Sequence, residues 1–128
     1  MVITVCGVHG SEGSRSVEFS CCAGEARARW SGPELAVGET RSVELACQDV
    51  LSSRRTIWAA RETTPGLRQL DGVVEITGRV LAMYEEGSVL LGFGDGRLEV
   101  EVEEGTDLSL DAWYVVRTTS LTLFDAGF

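Results

Sequence analysis

Apolar and polar residues alternate along most of this 128-residue chain, and the 3.6-residue repeat of an amphipathic helix is almost absent. Runs rich in Val, Leu, Phe and Trp, separated by Gly-rich breaks, predict strands at 2–8, 17–22, 26–30, 42–47 and 56–60. A second set follows at 73–84, 89–93, 98–103, 113–118 and 121–124. Only CQDVLSSRR, residues 47–55, reads as a short helix. RETTPGLRQLDG, residues 61–72, carries a Pro-Gly turn and is expected to be a connector.

The two sets of strands look like copies. In SVEFSCCAGEARARW, a turn at Ala23-Gly24 pairs Val17, Phe19 and Cys21 with Trp30, Ala28 and Ala26 on one face. Glu18 then stands opposite Arg29, and Ser20 opposite Arg27, on the other. In SVLLGFGDGRLEVEV, a turn at Asp95-Gly96 pairs Phe93 with Leu98, Leu91 with Val100 and Val89 with Val102. These hairpins superpose at an offset of 72. VITVCGV from residue 2 matches VVEITGR from residue 73, and TIWAA from residue 56 matches TLFDA from residue 122, at offsets of 71 and 66. An internal duplication is therefore expected, with Trp58 and Phe124 as equivalent core residues.

The segment GRVLAMYEEGSVLLGFGDGRLEVEVEE, with WYVVRTTSLTLFD after it, resembles the strand pattern of an OB-fold barrel over residues 72–125. The expected fold is all-β: two tandem five-stranded small Greek-key barrels of the OB or SH3 type sharing an interface, or one merged β-sandwich. The division is residues 1–60 as a first unit, 61–72 as connector and 73–128 as a second, acidic unit. Units this small are at the lower edge of independent folding, which favours a shared core.

Charge narrows the function classes. All eleven basic residues are arginine, so lysine Schiff-base chemistry and a P-loop lysine are excluded. The net charge is −9, of which residues 65–128 carry −8, from four Arg against twelve acids. Such a field repels nucleic-acid phosphate and anionic membrane and favours a basic partner. No apolar run approaches the roughly 20 residues that span a bilayer, and MVITVCGVHGSEG has neither a basic start nor a long apolar stretch. A cytoplasmic location without membrane association is the expectation.

Candidate chemistry is sparse. Cys6, Cys21, Cys22 and Cys47 contain no C-x-x-C pair, and adjacent Cys21 and Cys22 in a strand point to opposite faces. No metal site, cofactor or disulfide is expected. His9 sits between glycines in GVHGSEG and reads as a turn residue rather than a base for a Cys nucleophile. GFGDGR is followed by no helical pattern, so it reads as a hairpin turn rather than a phosphate loop. With no convergent acid, base and nucleophile, the chain is not expected to be an enzyme.

The strongest surface feature is Glu99, Glu101 and Glu103, continued by Glu104 and Asp107. Alternate residues share one strand face, with carboxylates about 7 Å apart. Tyr84 and Trp113 are candidate anchors for a protein contact. The leading expectation is a protein-binding module that docks a basic protein through this acidic face. A small, acidic, all-β protein of this kind is similar in general character to immunity proteins, which neutralise basic nuclease toxins. Two alternatives stand: OB-like binding of an oligosaccharide or single-stranded nucleic acid, for which Arg27, Arg29, Arg15 and Arg41 offer a basic face, and a structural subunit of a larger assembly. Nucleic acid is disfavoured by the inward positions expected for Phe19 and Trp30.

Overall fold

The computed structural model describes residues 1–11, 13–52 and 55–126. Twelve strands occur among them: β1 (Val2–His9), β2 (Ser16–Cys21), β3 (Gly24–Ser31), β4 (Thr40–Ala46), β5 (Val50–Leu51), β6 (Ile57–Ala59), β7 (Gly66–Leu70), β8 (Val73–Met83), β9 (Ser88–Phe93), β10 (Gly96–Val102), β11 (Trp113–Thr118) and β12 (Thr122–Asp125). The described residues form no helix. Two strands fall where none was expected. β7 lies inside the 61–72 connector, where Leu67 is buried and β8 and β3 offer edges on either side. β5 lies in the segment read as a short helix, because fully buried Leu51 enters the core beside β10. Ser53 and Arg54 of that segment are outside the described residues.

The first four strands close into a barrel only by recruiting β12. The ring runs β12-β4-β1-β2-β3, and β12 returns to pair β3 in parallel and β4 antiparallel. Closing the ring removes exposed strand edges. Further strands pack outside it and repeat the same circuit. β8 pairs β9 and β11, β9 pairs β10, β10 takes β5 in parallel, and β11 takes β6 antiparallel. TIWAA and TLFDA were expected to close their own halves; the structure exchanges them.

The registers give the correspondence. Leu51 and Leu123, both fully buried, lie beside Val102 and Trp30 at an offset of 72. Ile57 and Asp125 lie opposite Val116 and Val43 at an offset of 68. The difference of four residues is the turn between β5 and β6, where the Ser52 carbonyl accepts the N–H groups of Arg55, Thr56 and Ile57. The expected pairing of Trp58 with Phe124 as core residues is therefore corrected. Phe124 is 38% exposed, and Trp58 lies under the Arg117 guanidinium, 5.0 Å from its ring centroid.

Two crossings make the exchange, and they lie side by side. The chain leaves β4 through Cys47, Gln48 and Asp49 and leaves β11 through Thr119, Ser120 and Leu121. The Gln48 amide donates to Ser120 Oγ at 2.9 Å, the Cys47 thiol to Thr118 Oγ1 at 3.1 Å, and Asp49 Oδ2 accepts from Thr118 Oγ1 at 2.9 Å and the Thr119 amide at 3.1 Å. Burial pushes the Asp49 carboxyl up, but the hydrogen bonds from Thr119, Thr118 and Ser120 outweigh it and hold it below its ordinary value.

Both hairpins turn one residue earlier than their sequences suggest. Cys21 pairs Gly24 around Cys22-Ala23, and Phe93 pairs Gly96 around Gly94-Asp95. Gly24 and Gly96 stand at the first paired position, while Gly94 takes the turn itself at φ 63°. A Cβ on Gly24 would sit 2.0 Å from the Leu67 carbonyl oxygen where β7 joins, and one on Gly96 would meet the Met1 sulfur. Each register moves by two, so every face is preserved. Val17, Phe19, Ala26, Ala28 and Trp30 point inward and join Ile76, Leu91, Phe93, Leu98 and Val116 in one continuous core.

Candidate interaction surface

β10 alternates strictly: Gly96, Leu98 and Val100 are buried, whereas Arg97, Glu99 and Glu101 face solvent. Glu103 follows one residue past the strand, its amide held by the Leu51 carbonyl at 2.9 Å, and its own carbonyl accepts the Thr106 amide at 3.1 Å. That turn places Glu104 and Asp107 on the surface. None of these five carboxylates forms an ion pair among the described residues. The face thus carries net negative charge, five carboxylates against Arg97.

The acidic face ends at an apolar groove of about 250 Å³, lined by Met83, Tyr84, Val89, Val102, Glu103 and Leu108 among others. Met83 is 49% and Tyr84 40% exposed, and Val50, which pairs Glu101 from β5, is 53% exposed. Tyr84 is positioned by the hairpin bend, its amide donating to the Ser88 carbonyl at 2.9 Å. The same bend exposes Glu85 and Glu86. Of the sequence candidates, Tyr84, Glu103 and Glu104 line this groove, whereas Glu99 and Glu101 lie along the outward face of β10, paired with Leu90 and Ser88. Sequence reading missed Met83, Val50, Glu85 and Glu86 there, although the adjacency of Glu85 and Glu86 to Tyr84 was a usable signal.

Trp113 lies elsewhere. It pairs Arg79, which pairs Gly92, which pairs Arg97, giving one row across β11, β8, β9 and β10. A shallow hollow of about 490 Å³ includes all four residues. Gly92 keeps its floor low, since a Cβ there would lie 2.7 Å from Leu81 Cδ1.

Several other charged residues pair with one another. Glu18 does not pair Arg29; its carboxylate meets His9 Nε2 at 3.4 Å, and Arg27 is its register neighbour. Glu75, whose side chain is only 11% exposed, bridges Arg68 and Arg117 at 2.7 Å each. Burial raises its carboxyl, but the two guanidiniums outweigh that and hold it low. All four cysteines are free. Cys22 is exposed and donates to Asp95 Oδ1 at 3.4 Å, while Asp95 Oδ2 accepts the Val2 amide at 3.0 Å, an arrangement that depresses the Asp95 carboxyl. Burial pushes the Cys21 thiol up. No group of three or more metal-ligating side chains occurs among the described residues, and no helix there is long and apolar enough to cross a membrane. No family model, curated protein or solved structure matches the chain.

Proposed function

We propose that the chain is a non-enzymatic protein-binding module whose acidic β10 face docks a basic protein. The observation that carries this reading is the union of unpaired carboxylates with an apolar groove. Glu103 and Glu104 line a hollow together with Met83, Tyr84, Val89 and Leu108, and Glu99 and Glu101 extend the acidic row along the exposed face of β10. Charge of this kind speeds encounter and rejects acidic surfaces, while a desolvated pocket holds the anchor that supplies affinity. The fitting partner presents Arg or Lys around one protruding aliphatic or aromatic side chain. An inhibitor of a basic toxin, of immunity-protein character, is one such role, and the strand circuit of the closed barrel is consistent with an OB-type scaffold for it.

The test is capture of a partner on the wild-type chain, followed by association kinetics across a salt series for wild type and for Glu99→Lys, Glu101→Lys, Glu103→Lys combined. Association that slows sharply in the triple variant and loses its salt dependence supports the reading. Unchanged kinetics removes it. A second reading, an oligosaccharide or single-stranded nucleic-acid ligand, is favoured by the row Trp113, Arg79, Gly92, Arg97. Captured material of that class, released by Trp113→Ala but not by the acidic reversal, would establish it instead.

A further inference from the structure

The outer edge of β3 changes neighbour partway along. It pairs β7 at Gly24 and Glu25 and β12 from Arg29 onward. Between the two, the sheet splits. The Arg27 amide there finds a side chain in place of a strand, donating to Gln69 Oε1 at 2.8 Å, and the Arg29 amide reaches the Leu121 carbonyl at 3.0 Å. The split opens a cleft of about 450 Å³, within the ~300–1,000 Å³ range of small-molecule sites.

Three guanidinium-bearing residues line it: Arg27 and Arg29 from the outward face of β3, and Arg15 from the turn before β2. Arg27 is held in place, with Nε and Nη2 donating to Ser16 Oγ at 3.1 and 2.9 Å. A guanidinium has five N–H donors, so three of its own remain. The Arg15 and Arg29 side chains form no ion pair among the described residues. Ser14, Thr119, Thr122 and Gln48 add neutral hydrogen-bonding groups, and no Asp or Glu lines the cleft. Asp49 is close in sequence but spends its carboxylate on Thr118 and Thr119. An adjoining hollow shares Arg15 and Arg29 and has Glu34 on its wall.

This concentration of positive charge stands against a net charge of −9. Glu18, opposite Arg27 in the register, turns its carboxylate to His9 Nε2 at 3.4 Å, and acids further away are screened beyond about 8 Å at physiological salt, so the arginines dominate the field that a ligand in the cleft meets. Guanidinium forks donate paired hydrogen bonds to phosphate oxygens, and hydroxyl groups complete the shell. We propose that the cleft at the β3 split binds a small organic phosphate carrying at least two negative charges. This site is distinct from the acidic docking face and does not depend on it.

The test is calorimetric titration of the whole protein with pyrophosphate and with a nucleoside diphosphate at low ionic strength, for wild type, Arg15→Gln, Arg29→Gln and, outside the cleft, Arg61→Gln. Circular dichroism confirms that each variant is folded. Saturable one-to-one binding is expected in wild type and Arg61→Gln. Loss of one charge-assisted hydrogen bond should weaken it about tenfold or more in Arg15→Gln and Arg29→Gln. Three results overturn the proposal: no heat at millimolar ligand, equal affinity in the cleft variants and wild type, or tighter binding of an oligothymidylate than of either phosphate through the same arginines. The last would make the face a nucleic-acid surface.

Discussion

Leu123 and Leu51 offer the sharpest test of the strand exchange. Each is fully buried, and each belongs to a strand that completes the other half's circuit. Truncating a buried Leu to Ala costs about 3 kcal/mol, from lost transfer energy and the cavity left behind. Unfolding entropy near 2.1 cal/mol/K per residue amounts to about 270 cal/mol/K for this length, so Leu123→Ala should lower Tm by about 11 °C. Location is more informative than size. In native-state hydrogen exchange, Leu123→Ala should deprotect amides of β3 and β4, including Arg29, whose amide bonds to the Leu121 carbonyl. Leu51→Ala should instead loosen Glu103 and the Arg117–Thr56 bond. Deprotection of β8 to β11 by Leu123→Ala, with β3 and β4 as in wild type, would refute the exchange.

Two further outcomes follow. The folded-state pKa of Asp49 lies below its unfolded value, so its stabilising effect is complete above the ordinary carboxylate range and disappears as pH falls through the lowered value. Asp49→Ala should therefore be less stable than wild type near neutrality and approach it in acid; a constant gap across an acid series of denaturant titrations would contradict this. Alkylation of the native protein, read by peptide mass spectrometry, should label exposed Cys6 and Cys22 before half-buried Cys21 and Cys47. Faster labelling of Cys21 than Cys22 would contradict the hairpin register.

Period-two alternation carries face information that survives register error. The two-residue shift in each hairpin therefore left Phe19, Trp30, Leu91 and Leu98 inside, as their pattern predicts. The shift itself depended on Gly24 meeting the Leu67 carbonyl, a contact 43 positions away that no local turn rule contains. The likeness of VITVCGV to VVEITGR also misled. The register places Val5, opposite Phe19, in the position of Val80, opposite Leu91, an offset of 75 rather than 71. Partner choice for TIWAA and TLFDA was hidden for the same reason, since either strand fits either set of strands by pattern alone. The Glu99 to Glu103 stripe was legible because exposure on a strand is a local property. Its junction with Met83 and Tyr84, and the arginine cleft at the β3 split, arise where distant segments meet.

The exchange of closing strands also sets an order of events during synthesis. β3 emerges from the ribosome some ninety residues before β12, so the Arg29–Ser31 part of its edge waits, without its strand partner, until nearly the whole described chain has been made. Contacts of such sequence separation fold slowly and leave strand edges available in the interval. At high concentration a β12 from a neighbouring chain can answer that edge as well as the chain's own. The same closure that seals the barrel thus supplies a route to swapped dimers.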